Sequence, residues 1–220
     1  MTERDVIGMI DHTILKQNVK KTEIAKACED ALEYGFYSVC VYPVHIKACK
    51  KILDDSGVKV ATVIGFPHGE TLSKSKAAEA RQVIKEGADE IDMVMCISKA
   101  KEGKWNYVEK DIKGVVDAAE GAPVKVIIET CLLTDEEITE ACKAAARAGA
   151  AFVKTSTGFV GEGATEKNVA LMKETVKGKC EVKAAGGIRT LEQAMAMARA
   201  GATRIGTSAG VAIAKELTGR

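Results

Sequence analysis

Apolar positions recur along this chain in two alternating rhythms. Short runs rich in β-branched residues, such as Ser38-Val39-Cys40-Val41-Tyr42 and Lys59-Val60-Ala61-Thr62-Val63-Ile64, read as buried strands. Between them lie longer stretches whose apolar residues return every three or four positions, as at Ile24, Ala27, Ala31 and Leu32. That is the stripe of an amphipathic helix. In chain order the pattern predicts a short strand around residues 9 and 10 that ends at Asp11-His12-Thr13. Further strands are predicted at 38–42, 59–64, 90–95, 124–128, 152–154, 180–184 and 203–205. Helices are predicted from Thr22 to the stop at Gly35, then at 45–53, 71–85, 105–119, 134–148, 164–176, 190–200 and about 208–217. The count is eight strands and eight helices.

A repeat lies beneath the alternation. Gly35, Gly87, Gly149 and Gly201 each close a helix just before an even-numbered strand, where a left-handed C-cap suits glycine. The intervals from Gly35 to Gly87 and from Gly149 to Gly201 are both 52 residues, two strand–helix units each. Odd strands share another signature, Val58-Lys59-Val60, Val124-Lys125-Val126 and Glu181-Val182-Lys183. Near-equal units with a two-unit repeat favour a closed (β/α)₈ TIM barrel, an α/β fold in one domain spanning residues 1–220, over an open doubly wound sheet. No Gly-x-Gly-x-x-Gly follows the first strand, which argues against a dinucleotide site.

Barrels of this kind carry their chemistry at the C-terminal strand ends. Read in order, those ends are Asp11, Cys40, Gly65, Asp92, Glu129, Lys154, Lys183 and Gly206. Charges on strands 1, 4, 5, 6 and 7 are therefore expected to converge on one mouth, and buried charge is costly unless it is paired. Lys154 ends an apolar strand and Lys183 ends the next, about 4.8 Å away. Desolvation and a neighbouring ammonium both favour a neutral amine, so the pair predicts one nucleophilic amine and one retained cation. The alternative at this point is an outward-pointing lysine whose head reaches water. Asp92, inside Ile91-Asp92-Met93-Val94, needs a cationic partner. Glycine-bearing loops at Thr155-Ser156-Thr157-Gly158, Ala185-Gly186-Gly187-Ile188-Arg189 and Gly206-Thr207-Ser208-Ala209 offer backbone donors to an anion, or are plain tight turns.

Composition narrows the partners. Thirty-two basic and 31 acidic residues leave a net charge of +1, with no basic run interleaved with aromatics. Neither nucleic acid nor a membrane surface is expected as a partner. The seven cysteines are scattered without Cys-x-x-Cys, and His12, His45 and His68 show no ligand spacing, so reduced thiols and no metal are expected. Cys40 reads as a small core residue or pocket liner, and Cys96 is given no role. With no apolar leader and no long apolar window, a soluble cytoplasmic protein is the expectation.

These motifs resemble those of the deoxyribose-phosphate aldolases. The resemblance runs through Asp11-His12-Thr13, Val39-Cys40-Val41-Tyr42-Pro43, the segment from Val63 to Gly69, Glu90-Ile91-Asp92-Met93-Val94, Lys125 to Thr130, Val153 to Gly158 and Val182 to Arg189. It implies a Schiff-base lyase that reversibly cleaves 2-deoxy-D-ribose 5-phosphate to D-glyceraldehyde 3-phosphate and acetaldehyde in deoxyribose phosphate catabolism. No cofactor is implied, and the partners are small phosphosugars and aldehydes. It further implies Schiff-base formation by Lys154, pKa tuning and proton transfer by Lys183, proton exchange by Asp92, and membership of Asp11 in the charged network. Cys40, Thr157, Gly158, Gly186, Gly187, Arg189, Gly206 and Ser208 would surround the substrate and its phosphate, and a homodimer or homotetramer is expected. Two departures bear on this. Cys96-Ile97-Ser98 replaces a frequent Asn-Ile-Gly, which touches substrate positioning, and Ala209 replaces a frequent second serine, which removes a phosphate donor. The competing readings are a Schiff-base lyase for another phosphorylated substrate and a non-catalytic phosphosugar-binding barrel.

Overall fold

In a computed structural model describing residues 2–218, eight parallel strands are bonded in chain order and the last returns to the first. The strands are β1 (Ile10–Ile14), β2 (Ser38–Val41), β3 (Lys59–Ile64), β4 (Glu90–Val94), β5 (Val124–Ile127), β6 (Phe152–Lys154), β7 (Glu181–Ala185) and β8 (Arg204–Thr207). The helices are α1 (Glu3–Ile7), α2 (Lys21–Tyr34), α3 (Ile46–Leu53), α4 (Ser73–Lys85), α5 (Ile97–Lys101), α6 (Trp105–Ala118), α7 (Asp135–Arg147), α8 (Glu166–Val176), α9 (Leu191–Arg199) and α10 (Gly210–Thr218). This is the expected (β/α)₈ barrel, with every expected strand present and ten described helices where eight are predicted.

The two additions, α1 and α5, have five residues each, too few to show a helical period in the sequence. Local chemistry makes α1: Thr2 and Asp5 form a reciprocal capping box, and Val6 and Ile7 bury their side chains. Elsewhere boundaries shift slightly. The chain after β2 first makes a 3₁₀ turn at Pro43–His45, and α3 follows. Helix α2 begins before Thr22, with the Lys20 N–H donating to the Glu23 carboxylate. The predicted glycine stops hold, since Gly35, Gly87, Gly149 and Gly201 all have positive φ.

Strand side chains alternate between two environments. Val39, Ile91, Met93, Val126, Val153, Val182 and Ile205 join the apolar layer beneath the helices. The inward set divides the barrel interior into halves. Around β2 and β3 it is apolar, a cluster of Leu15, Cys40, Ala61 and Val63 with Tyr42 and Phe66 against it. From β4 round to β8 and on to Asp11 of β1 it is ionic, and that side positions the site.

Candidate active site

Seven charged side chains meet inside the barrel, all with relative exposures of 5% or less: Asp11, Glu90, Asp92, Lys125, Lys154, Lys183 and Arg204. Asp92 is the hub. Its Oδ1 accepts from Lys125 at 2.7 Å, while its Oδ2 accepts from both Lys154 and Lys183 at 2.7 Å. Lys154 and Lys183 stand opposite each other in the β6–β7 register, which is why one oxygen can serve both amines. Lys183 also donates to Asp11, and Asp11 accepts from Ser38 Oγ at 2.7 Å and from Arg204 at 3.1 Å. Lys125 and Arg204 share Glu90, at 2.8 and 2.7 Å. The Arg204 guanidinium stacks on Tyr37 with its carbon 3.4 Å from the ring centroid.

Counting charges locates the labile proton. Three carboxylates face four cationic groups, so one cation lacks a full counter-charge. Lys183 has two carboxylate partners, Lys125 has Asp92 and Glu90 with Asp11 at 3.9 Å, and Arg204 has two. Lys154 has only the Asp92 oxygen that it shares. Burial lowers the Lys154 pKa, Asp92 opposes that, and the Lys183 cation lowers it again; the net direction is down from the ordinary lysine value. For Lys183 burial acts the same way, but Asp11 and Asp92 outweigh it and hold the proton on. Burial alone would raise both aspartates. The surrounding cations instead hold Asp92 well below its usual range and bring Asp11 down to about 2.

Of the seven, Lys154 alone reaches the cleft at the C-terminal mouth, a cavity of about 830 Å³. Its walls are residues 12–18 at the end of β1 and beyond it, Thr157, Gly158 and Phe159 after β6, residues 185–189 from the end of β7 onward, and Gly206, Thr207 and Ser208 at the end of β8. Short polar side chains pin these loops. Thr155 Oγ1 bridges to both the N–H and the C=O of Ala185 at 3.0 Å, and Thr207 Oγ1 donates to Ile188 O at 2.6 Å. The Gln193 side chain takes the Arg189 and Thr190 N–H groups, capping α9. Gly206 is required by space: a Cβ there would stand 3.1 Å from Lys183 Cε and 2.9 Å from Ala185 Cβ.

The structure brings Asp11, Asp92, Lys154 and Lys183 together, and it lines one cleft with Lys154, Thr157, Gly158, Gly186, Gly187, Arg189, Gly206 and Ser208. Cys40 is off the cleft wall, packed with Leu15, Ala61 and Val63 beside the ionic cluster, and burial raises its thiol to about 11. The strand-5 charge in the cluster is Lys125, whereas Glu129 turns away to the loop after β6. Lys125 carries the same sequence signal as Lys183, a lysine between apolar residues of a strand, which marks it in the sequence only as part of the repeat. Glu90 and Arg204, both strand residues, complete the network, and Lys16, Gln17 and Asn18 add an unpredicted wall. The two sequence departures stay off that wall. Cys96 and Ser98 engage Glu70, with Ser98 Oγ donating at 2.6 Å, and the Ala209 N–H donates to Thr207 Oγ1 at 2.9 Å.

Comparison with known proteins agrees with this geometry. Residues 5–216 match the DeoC/LacD family aldolases. The deoxyribose-phosphate aldolase of Caldicellulosiruptor saccharolyticus is 52% identical over 219 residues, 98% of this chain and all of that protein. That of Thermococcus gammatolerans is 54% identical over 217 residues, 97% of this chain and 96% of the relative. The tetrameric deoxyribose phosphate aldolase structure from Aeropyrum pernix superposes with a TM-score of 0.92 at 33% identity, covering 99% of this chain and 92% of that one. A barrel whose buried lysine opens into a glycine-walled cleft, matched along almost its whole length to such relatives, belongs to the DeoC/LacD family of aldolases.

Proposed function

We propose that this protein is a class I aldolase that reversibly cleaves 2-deoxy-D-ribose 5-phosphate to D-glyceraldehyde 3-phosphate and acetaldehyde, through a Schiff base on Lys154. The observation that carries the reading is the cleft-facing amine of Lys154, the least-paired cation of an ionic cluster with one cation in excess. A neutral amine attacks the sugar aldehyde at C1, and loss of water leaves a protonated imine. The imine draws electrons from the C2–C3 bond once the C3 hydroxyl gives up its proton, so glyceraldehyde 3-phosphate departs and an enamine remains. Protonation of C2 and addition of water then release acetaldehyde and restore the amine. Asp92 contacts both lysines through one oxygen, which suits it to pass protons between Lys183 and the reacting centre. Arg189, Ser208 and the Gly158, Gly186 and Gly187 backbone line the far wall, where the phosphate would lie, with Thr157 and Gly206 shaping that wall.

All seven cysteines are free, as a reducing compartment such as the cytoplasm keeps them, and the relatives named deoxyribose-phosphate aldolase support a role in deoxyribose phosphate breakdown. The tetramer of the Aeropyrum pernix relative supports self-association as a dimer or tetramer. Borohydride reduction in the presence of substrate tests the chemistry: mass spectrometry should find the adduct on Lys154, and its absence would refute the Schiff base. Acetaldehyde release should be greatest from deoxyribose 5-phosphate among sugar phosphates.

A further inference from the structure

Four described residues other than glycine have left-handed backbones: Asp55, Glu120, Glu129 and Lys177. Three of them are exposed turn residues, where such a conformation is common. Glu129 differs, since its φ is 55° while its side chain is only 2% exposed. Strained backbone of this kind persists where the surroundings enforce it, often beside a working site.

Its carboxylate has no cation within ion-pair distance among the described residues, and every hydrogen bond it makes goes to Thr157. The Thr157 N–H donates to Oε1 at 3.1 Å and to Oε2 at 3.3 Å, and Thr157 Oγ1 donates to Oε2. Thr157 Oγ1 in turn accepts the Phe159 N–H at 3.1 Å. The docking of this segment on β6 does not need the side chain, because Ile128 N–H already reaches Lys154 O at 3.0 Å and Thr130 N–H reaches Thr155 O at 2.9 Å. What the carboxylate holds is therefore the turn Thr157-Gly158-Phe159, one wall of the cleft. That wall touches the next loop: a Cβ built on Gly186 would lie in van der Waals contact with Gly158 Cα, at 3.6 Å.

We propose that Glu129 is a positioning residue that fixes the Thr157–Phe159 turn against the Gly186–Gly187 loop and so sets affinity for the anionic end of the substrate. This rests on reading the cleft as a phosphosugar site. It acts through Thr157 and leaves the amine chemistry of Lys154 in place.

The test compares Glu129→Gln, Thr157→Val and the double variant on 2-deoxyribose 5-phosphate and on unphosphorylated 2-deoxyribose, with melting curves alongside. Each single change should raise KM for the phosphorylated sugar about tenfold relative to KM for the free sugar, with kcat falling less than KM rises. The double variant should be no worse than the worse single, because both remove one contact. Equal losses on the two sugars, a fall in kcat alone, or additive effects would overturn the proposal. Should Glu129→Gln fail to fold, Thr157→Val carries the same prediction from the other partner. Borohydride trapping on the unaltered protein separates the two levels. No adduct on Lys154 sinks both readings, whereas an adduct with an unchanged KM ratio in the variants sinks only the role of Glu129.

Discussion

Replacing Lys183 by Met should move the pH at which the protein works, beyond slowing it. The substitution removes a cation that shares an Asp92 oxygen with Lys154, each amine 2.7 Å from that oxygen. It also balances the cluster at three carboxylates against three cations, so Lys154 acquires a full counter-charge. Two ammonium groups about 5 Å apart repel by about 3 kcal/mol at an effective dielectric near 20. That corresponds to about two pKa units for the amine that is relieved. The Lys154 proton should therefore bind more tightly, and the neutral amine at neutral pH should become about a hundredfold scarcer. The assay is the rate of borohydride-trapped adduct as a function of pH, for the parent protein and the variant. The acid limb of the profile should shift upward by about two pH units, and raising the pH should recover much of the trapping rate. A rate that falls by the same factor at every pH, with the limb unmoved, would refute the charge-balance argument and leave Lys183 a proton carrier or a structural group only. A melting curve is needed beside it, because truncating one member of a buried ionic network costs about 3–5 kcal/mol.

The other predictions follow from the same network and cleft. Arg204→Met should lower unfolding free energy by about 3–5 kcal/mol in urea, because Glu90 and Asp11 lose a buried partner and the stack on Tyr37 goes with it. Unchanged stability would show that Lys125 and Lys183 suffice. Arg189→Ala should raise KM for the phosphorylated sugar ten- to a hundredfold, as expected from about 1.5–3 kcal/mol for a charged hydrogen bond, and should weaken inhibition by inorganic phosphate. Stability should fall in acid in a definite window. Asp11 titrates at about 2 folded and near 3.8 unfolded, so its contribution of about 2 kcal/mol is full above pH 4 and lost as pH falls through 2. Urea titrations at pH 5 and pH 2.5 check this, and Asp11→Asn should flatten the difference.

The alternation of periods was enough to read the barrel, because each strand and helix buries a side that repeats at its own interval. The short helices α1 and α5 were illegible for the converse reason: five residues hold no period, and capping and packing decide them. Lys154, Lys183 and Asp92 were legible because a charge inside an apolar strand contradicts its surroundings. Lys125 has the same signal, but a strand position alone does not say whether it faces the interior or the helices. Parity with Asp92 across the β4–β5 register settles that in space. Of the two readings of Cys40, small core residue or pocket liner, the structure favours the first, because position at a strand end does not say whether a side chain meets the cleft; it packs with Leu15, Ala61 and Val63 beside the ionic cluster. Its place at a strand end predicts Glu129 as a mouth charge, but its left-handed backbone accompanies a side chain bonded to Thr157.

The sequence by itself determined the eight-unit alternation, the glycine stops and the residue types of an amine-based site, because these depend on local pattern and chemistry. Only the tertiary structure decided which amine is short of counter-charge. That depends on how many carboxylates each lysine meets, and Asp11, Glu90, Asp92, Lys125, Lys183 and Arg204 come to Lys154 from five other strands once the barrel has closed.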